Sequence, residues 1–528
     1  MAPDYQQAES DCSIAVNMLI SGPPAILPTR QSRPLTYKYL RPFLPQPVVA
    51  GLTTGVAAIV LTSCALQREG SAEPPSSSTP KAIPTVETPA INVAEVDALI
   101  KRVVGEKQLV GVSVGVMQNG KVVLANGYGY RRLDPKEPMT ATTMMPIGSV
   151  TKQFTCAAAL LMSQDGTLSM RDRVAKYVPT ATRASDITLL DLGQHVSGYR
   201  DYYPLDFVVR EMQKAESADT IIARYAMRPL DFEPGSRWSY SNTNFLILGK
   251  AVEAAARQPF GTVLARRIFG PVGMTRTAYD PPATDTGMSQ GYTSYALAAP
   301  SVATPEATGW TGAAGAMWST PTDLLAWDLA LLDGRVLSAE SFATLTAPRV
   351  LSDGRSTGYG CGINAALTGD AVVLSHGGAV AGSVATNIIV PITRSAIVIL
   401  SNADFAATGE IVEALLPKLT PHVDAPVITG RSALDAAKAF LESVERGAVD
   451  RTTLGDDFNA LLTPQHLATD RAALAKAGKI RDVRVVRTRE RGGMEVAVVQ
   501  YLVGKTPAVS LMYRTPDGKI QQLLINRR

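Results

Sequence analysis

The 528-residue sequence predicts an α/β domain whose antiparallel sheet is built from both of its ends, flanked by helices and carrying a helical insertion, followed by a small α+β domain. Three observations predict this. Val110, Val112, Val114 and Val116 alternate, Asn119-Gly120 turns the chain, and Val122-Val123-Leu124 returns, which is a hairpin signal. Strand patterning reappears only much later, in Ala371-Val372-Val373-Leu374, Ile388-Ile389-Val390 and Ala396-Ile397-Val398-Ile399-Leu400. Between them lie mainly helical segments joined by long loops, so the two strand sets close one sheet around the helices.

Bulk composition narrows the function classes. Hydrophobic residues make up 46% and charged residues 19% of the chain, with a formal net charge of +4, and no run of lysine and arginine interleaved with aromatics occurs. Nucleic-acid binding is not expected. Four histidines (His195, His376, His422, His466), four cysteines and no C-x-x-C pattern give no ligand set for a metal, and no cofactor is implied. Cys156, on an apolar run, reads as a small core residue.

Taken in order, residues 1–64 read as a leader and export signal. Arg30, Arg33, Lys38 and Arg41 precede an uncharged segment over residues 43–67, the charged-then-apolar order of such signals. Leu61-Thr62-Ser63-Cys64 resembles the lipobox of bacterial lipoproteins, whose cysteine is lipidated; acyl chains on Cys64 would hold the protein to a membrane. An uncleaved transmembrane anchor is the alternative. Either way the remainder is expected outside the cytoplasm. Residues 65–92, rich in proline, serine and threonine, read as a flexible tether.

The catalytic candidates fall in residues 93–420. Pro146 and Gly148 break the chain ahead of Ser149, and Thr155-Cys156-Ala157-Ala158-Ala159-Leu160-Leu161-Met162 is a good helix former. Ser149 and Lys152 then rise from one face of a first helical turn, a hydroxyl beside an amine able to take its proton. Tyr240-x-Asn242 follows in a loop ahead of a helix over residues 245–256, and His376-x-Gly378 at a strand edge. Two look-alikes carry the wrong context. Ser113, in Gly111-x-Ser113-x-Gly115, sits mid-strand where a nucleophile elbow requires a strand, a sharp turn and a helix. Ser78-x-x-Lys81 lies among prolines.

With Ser149-x-x-Lys152, Tyr240-x-Asn242 and His376-x-Gly378 in that order, residues 93–420 resemble the serine β-lactamase and penicillin-binding-protein superfamily. The similarity is greatest to the branch of class C β-lactamases, D-alanyl-D-alanine carboxypeptidases, D-aminopeptidases and related esterases. Phe232-Glu233-Pro234-Gly235, His195-x-Ser197-Gly198 and Gly312-Ala313-Ala314-Gly315 support it. The resemblance implies a β-lactamase/transpeptidase-like fold and an acyl-enzyme on Ser149. Lys152 would be the general base or would lower the pKa of Tyr240. Tyr240 would relay a proton to the leaving group and Asn242 would orient Lys152 and the substrate. The backbone N–H groups of Ser149 and of Ala379, after Gly378, would form the oxyanion hole. His376 would take the place of the third motif's lysine, which favours an ester or D-amino-acid amide over a β-lactam. His195 is read as structural. The expected partner is a small-molecule or peptidoglycan-type substrate; a catalytically silent penicillin-binding relative that holds peptidoglycan or a protein is the rival reading. Residues 431–528 form the α+β domain, with no nucleophile-and-base pattern and no assigned role.

Overall fold

The computed structural model describes residues 85–525 apart from 283–286, 297, 369–370 and 422–425. The leader, Cys64 and most of the tether lie outside the described residues.

A first helix, α1 (Val93–Glu106), is capped by Asn92, whose side chain accepts from the Ala94 and Glu95 amides. It leads into β1 (Gly111–Gln118), β2 (Lys121–Leu133) and β3 (Lys136–Pro138). The central helices are α2 (Thr151–Gln164), α3 (Asn242–Ala256) and α4 (Pro321–Leu332). The chain then returns to the sheet as β4 (Asn364–Thr368), β5 (Ala371–Val380), β6 (Ser383–Val390) and β7 (Ser395–Ser401), and closes with α5 (Gly409–Leu419). The strands form one seven-stranded antiparallel sheet in the order β3-β2-β1-β7-β6-β5-β4. Its first three and last four strands come from opposite ends of the domain, as the hydrophobic patterning predicts.

Strand parity explains why β1 and β7 are buried along their whole length. Val112, Val114 and Val116 pack with Ile397 and Ile399 under α1 and α5. Val398 and Leu400 face the opposite core with α2 and α3. A strand covered on both faces reads as a continuous apolar run. Gly115 lies on the second face, where a Cβ would press on Leu325 and Pro321 of α4. Ser113 is fully buried with its hydroxyl on Thr140 O at 3.1 Å. Gly111 is crowded instead by Tyr130 O and Met139, so the glycine-serine-glycine pattern reflects close packing on both sides of β1.

Two expectations change. Residues 86–91 do not belong to a free tether: Val86 N–H donates to Ile392 O, and Thr88 and Ile91 bond the Gln118 and Asn119 side chains at the hairpin turn. Those turn amides supply the backbone partners that composition does not reveal. Cys156 is not a free core thiol but is joined to Cys361 in a disulfide. The partner lies 205 residues away, a distance over which spacing carries no signal.

The C-terminal domain stacks α6 (Ala433–Arg446) and α7 (Pro464–Ala477) on an antiparallel sheet of β8 (Ile480–Arg491), β9 (Met494–Val503), β10 (Thr506–Arg514) and β11 (Ile520–Leu523). Its core includes Phe440, Leu441, Phe458, Val499 and Met512.

Candidate active site

Ser149 lies in a short 3-10 turn, Gly148–Val150, that runs directly into α2. Its position depends on two glycines. Gly148 adopts φ +49, the left-handed region open to glycine. A Cβ on Gly148 would lie 2.8 Å from Ala379 N, and one on Gly378 would collide with Ile147 O. The β5 backbone therefore lies against the serine turn, and the spot a Gly378 Cβ would occupy is 3.1 Å from Ser149 N. The glycine of the third motif is explained by that contact.

Lys152, one turn on, is fully buried. Its Nζ lies 3.0 Å from Ser149 Oγ, 2.8 Å from Asn242 Oδ1 and 2.8 Å from Ala314 O. Two of these partners can only accept. A neutral amine must then spend both N–H groups on Asn242 and Ala314, which leaves its lone pair facing the serine hydroxyl. Burial pushes Lys152 down to about 7, a fall that the nearby Asp201 carboxylate opposes.

Asn242 is the first residue of α3 rather than a loop residue. Its backbone N–H donates to Asp201 Oδ1 at 2.9 Å, and its Nδ2 to Oδ1 and Oδ2 at 3.2 and 3.3 Å. A carboxylate at a helix N-terminus satisfies an orphan amide and complements the dipole. It also fixes which side-chain atom of Asn242 faces Lys152. Asp201 was missed in the sequence; the one signal was its place three residues after His195-x-Ser197-Gly198.

Tyr240 is partly buried. Burial pushes this phenol up, so it stays protonated at neutral pH. The Lys152 Nζ lies 4.8 Å from the Tyr240 ring centroid and 5.3 Å from that of Phe245. His195, fully buried, accepts the Ser241 N–H at Nδ1 (3.2 Å) and packs its ring 4.3 Å from the Tyr240 ring. It holds the second motif from behind, in keeping with a structural role.

His376 departs from its expected place. It is buried, with Nδ1 2.6 Å from Gly377 O and Nε2 2.8 Å from Tyr359 Oη. A carbonyl can only accept, so Nδ1 carries the proton and Nε2 accepts from Tyr359. Burial, then the Lys152 charge, push its pKa down to about 3. The imidazole is neutral and shares no hydrogen bond with Ser149, Lys152 or Tyr240. Its ring stands 6.3 Å from that of Tyr240. Tyr359, which draws it away, carries no motif.

Ser149, Asn242, Ala314 and Ala379 open onto a cleft of about 550 Å³. Among the described residues its lining includes Asp206 and Asp404 but no lysine or arginine. No group of three or more His, Cys, Asp or Glu side chains among them could hold a metal ion.

A buried lysine hydrogen-bonded to a serine at a helix start, between an antiparallel sheet and a helical region, marks a site of the serine-hydrolase class. The family described as Beta-lactamase matches residues 96–418, and the chain belongs to it. Among curated relatives, the chain is 27% identical over 421 residues to a D-aminopeptidase of Gluconobacter oxydans, covering 78% of each chain. It is 30% identical over 297 residues to a D-aminopeptidase of Brucella anthropi, 55% of this chain and 56% of that one. Among solved structures, a D-stereospecific amidohydrolase from Streptomyces sp. superposes with a TM-score of 0.54 at 23% identity, over 61% of this chain and 98% of that one. A penicillin-binding protein homologue from Pyrococcus abyssi, described as octameric, gives 0.55 at 18% identity over 83% and 99%. At these identities the two structures share the fold.

Proposed function

We propose that this Beta-lactamase-family hydrolase works through an acyl-enzyme on Ser149 and cleaves esters and amides of D-amino acids, including short D-peptides. The observation that carries the reading is the hydrogen-bond set of Lys152: two acceptor-only partners and the serine hydroxyl. Neutral Lys152 takes the Ser149 proton as Oγ attacks the substrate carbonyl. The oxyanion forms beside the Ser149 and Ala379 amides, donors of a kind worth about 3 kcal/mol each. Tyr240 gives its proton to the leaving nitrogen, Lys152 returns the serine proton to the phenolate, and water, activated the same way, releases the acid. The D-amino-acid preference draws on the names of the relatives. A cleft without a lining lysine or arginine offers no fixed cation for the carboxylate of a β-lactam. A fluorophosphonate probe is expected to label the purified protein and to fail on Ser149→Ala; an unlabelled wild type would mean a silent binding protein.

The export reading belongs to the same proposal: the protein is carried outside the cytoplasm and tethered through Cys64. The Cys156–Cys361 disulfide supports an oxidising compartment. Radiolabelled palmitate is expected to enter the protein and not its Cys64→Ser variant. Equal incorporation would remove the lipid anchor from the proposal.

A further inference from the structure

The edge strand β8 of the C-terminal sheet carries Arg481, Arg484, Arg487, Arg489 and Arg491. In a regular strand, residues three apart point to opposite faces. Two β-bulges correct the phase. Arg481 and Arg484 pair Leu502 and Gln500, a step of three residues on β8 against two on β9. Val485 and Arg487 pair Val499 and Val498, a step of two against one, and Arg489 and Arg491 then pair Val496 and Met494. Cross-strand partners share a face. All five arginines therefore stand on the side of the sheet that carries Met494, Val496, Val498, Gln500 and Leu502. The opposite side, with Ala497, Val499, Tyr501 and Val503, holds the core under α6 and α7.

The arginines meet only neutral acceptors. Arg481 donates to Gly504 O, Arg484 to Gln500 Oε1 at 3.1 Å and Arg491 to Tyr513 Oη at 2.9 Å. Among the described residues none of the five has a carboxylate within ion-pair distance. Keeping an edge strand from pairing takes a charge or a bulge, in either phase. It does not require five like charges on one face, where they repel one another. An anionic partner relieves that repulsion.

Length and texture decide which anion. From Leu502 to Met494, the partners of the outermost arginines, is eight residues, or about 27 Å of strand. A single phosphate cannot span it. The same face presents Val498 and Leu502 from β9 and Val509, Leu511 and Tyr513 from β10, of which Val509 is exposed and the others half-buried. Arginine beside aliphatic side chains and a tyrosine suits the boundary of a bilayer, where charged headgroups overlie hydrocarbon.

We propose that the arginine face of the C-terminal sheet docks on an anionic lipid bilayer. The docking is separate from whatever reaction Ser149 performs. It sets which side of the domain lies against the membrane, a thing that no single point of attachment fixes.

The test uses full-length protein, with Cys64→Ser throughout so that no acyl chain takes part. It is titrated at low salt with vesicles of phosphatidylcholine alone and of equimolar phosphatidylcholine and phosphatidylglycerol. Affinity for the second is expected to be at least about a hundredfold higher, a factor of about five for each of three engaged arginines, and to fall as salt is raised. Arg487→Gln with Arg489→Gln is expected to cut it about 25-fold, and Arg487→Lys with Arg489→Lys to keep most of it. Lys438→Gln with Lys476→Gln removes the same charge from the helical side, where both lysines are exposed, and is expected to change affinity far less. The leader is common to every variant, so the difference between the two glutamine pairs decides. Equal affinity for the two vesicles, binding indifferent to salt, or equal losses from the sheet-side and helix-side pairs would overturn the docking face. Should Arg487→Gln with Arg489→Gln not fold, Arg481→Gln with Arg487→Gln carries the same expectation.

Discussion

Lys152 Nζ and Asn242 Oδ1 stand 2.8 Å apart although 90 residues separate them in the chain. The contact joins the start of α2 to the start of α3, and behind it Asp201 fastens Asn242 by both backbone and side chain. The Lys152 amine is thus held by two helix N-termini and one carboxylate.

The first prediction concerns pH. In the proposed mechanism Lys152 serves as base only when neutral, and burial pushes it down to about 7. The kcat/KM for an amide should rise with pH and level off above an apparent pKa near 7. Asp201 raises the lysine, so Asp201→Asn should move that limb to lower pH. A limb at the ordinary lysine value in the wild-type profile would contradict the neutral base.

Tyr240→Phe separates proton donation from attack. An amide nitrogen must be protonated to leave, whereas p-nitrophenolate leaves unaided. Loss of a positioned acid is worth about 10² to 10⁴ in rate. The variant should lose roughly that factor on an amide and much less on a p-nitrophenyl ester. Equal losses on both would mean that the phenol only positions Ser149.

Cys156 lies one helical turn beyond Lys152, and its bond to Cys361 ties α2 to the segment before β4. Replacing both cysteines by alanine should cost about 2–5 kcal/mol of stability, read as a lower melting temperature by calorimetry. An unchanged melting temperature would show that packing alone holds the two segments.

Asp328 is fully buried, accepts from Asn387 Nδ2 at 2.8 Å, and has no partner for Oδ1. Burial pushes its carboxyl well above 3.8. The folded state keeps a proton that the unfolded chain releases, so its contribution is greatest below 3.8 and falls as pH rises towards the folded value. Asp328→Asn should therefore stabilise at pH 7, by about 1 kcal/mol or more, and give little gain at pH 4. Melting curves at the two values check this; a gain only at pH 4 would reverse the sign.

Much of this was legible because it is local. Asn119-Gly120 between alternating valines has one economical solution, a hairpin, and Ser113 is disqualified by the strands on either side of it. His376 shows the opposite case. A histidine beside two glycines reads as a site residue, but the direction of its ring was set by Tyr359, 17 residues earlier, and by the carbonyl of Gly377. Asp201 carries no motif, since one of its partners is a backbone amide, a donor available at almost every position.

By itself the sequence determined the serine turn, the one-turn offset between Ser149 and Lys152, and the two ends that close the sheet. Each follows from helical or strand periodicity over a few residues. Only the tertiary structure decided that Cys156 meets Cys361, that Lys152 loses its water, and that His376 bonds Tyr359 and the Gly377 carbonyl rather than Ser149 or Lys152. Those outcomes depend on which distant surfaces exclude solvent together, and burial is a property of the packed chain that no short window of residues contains.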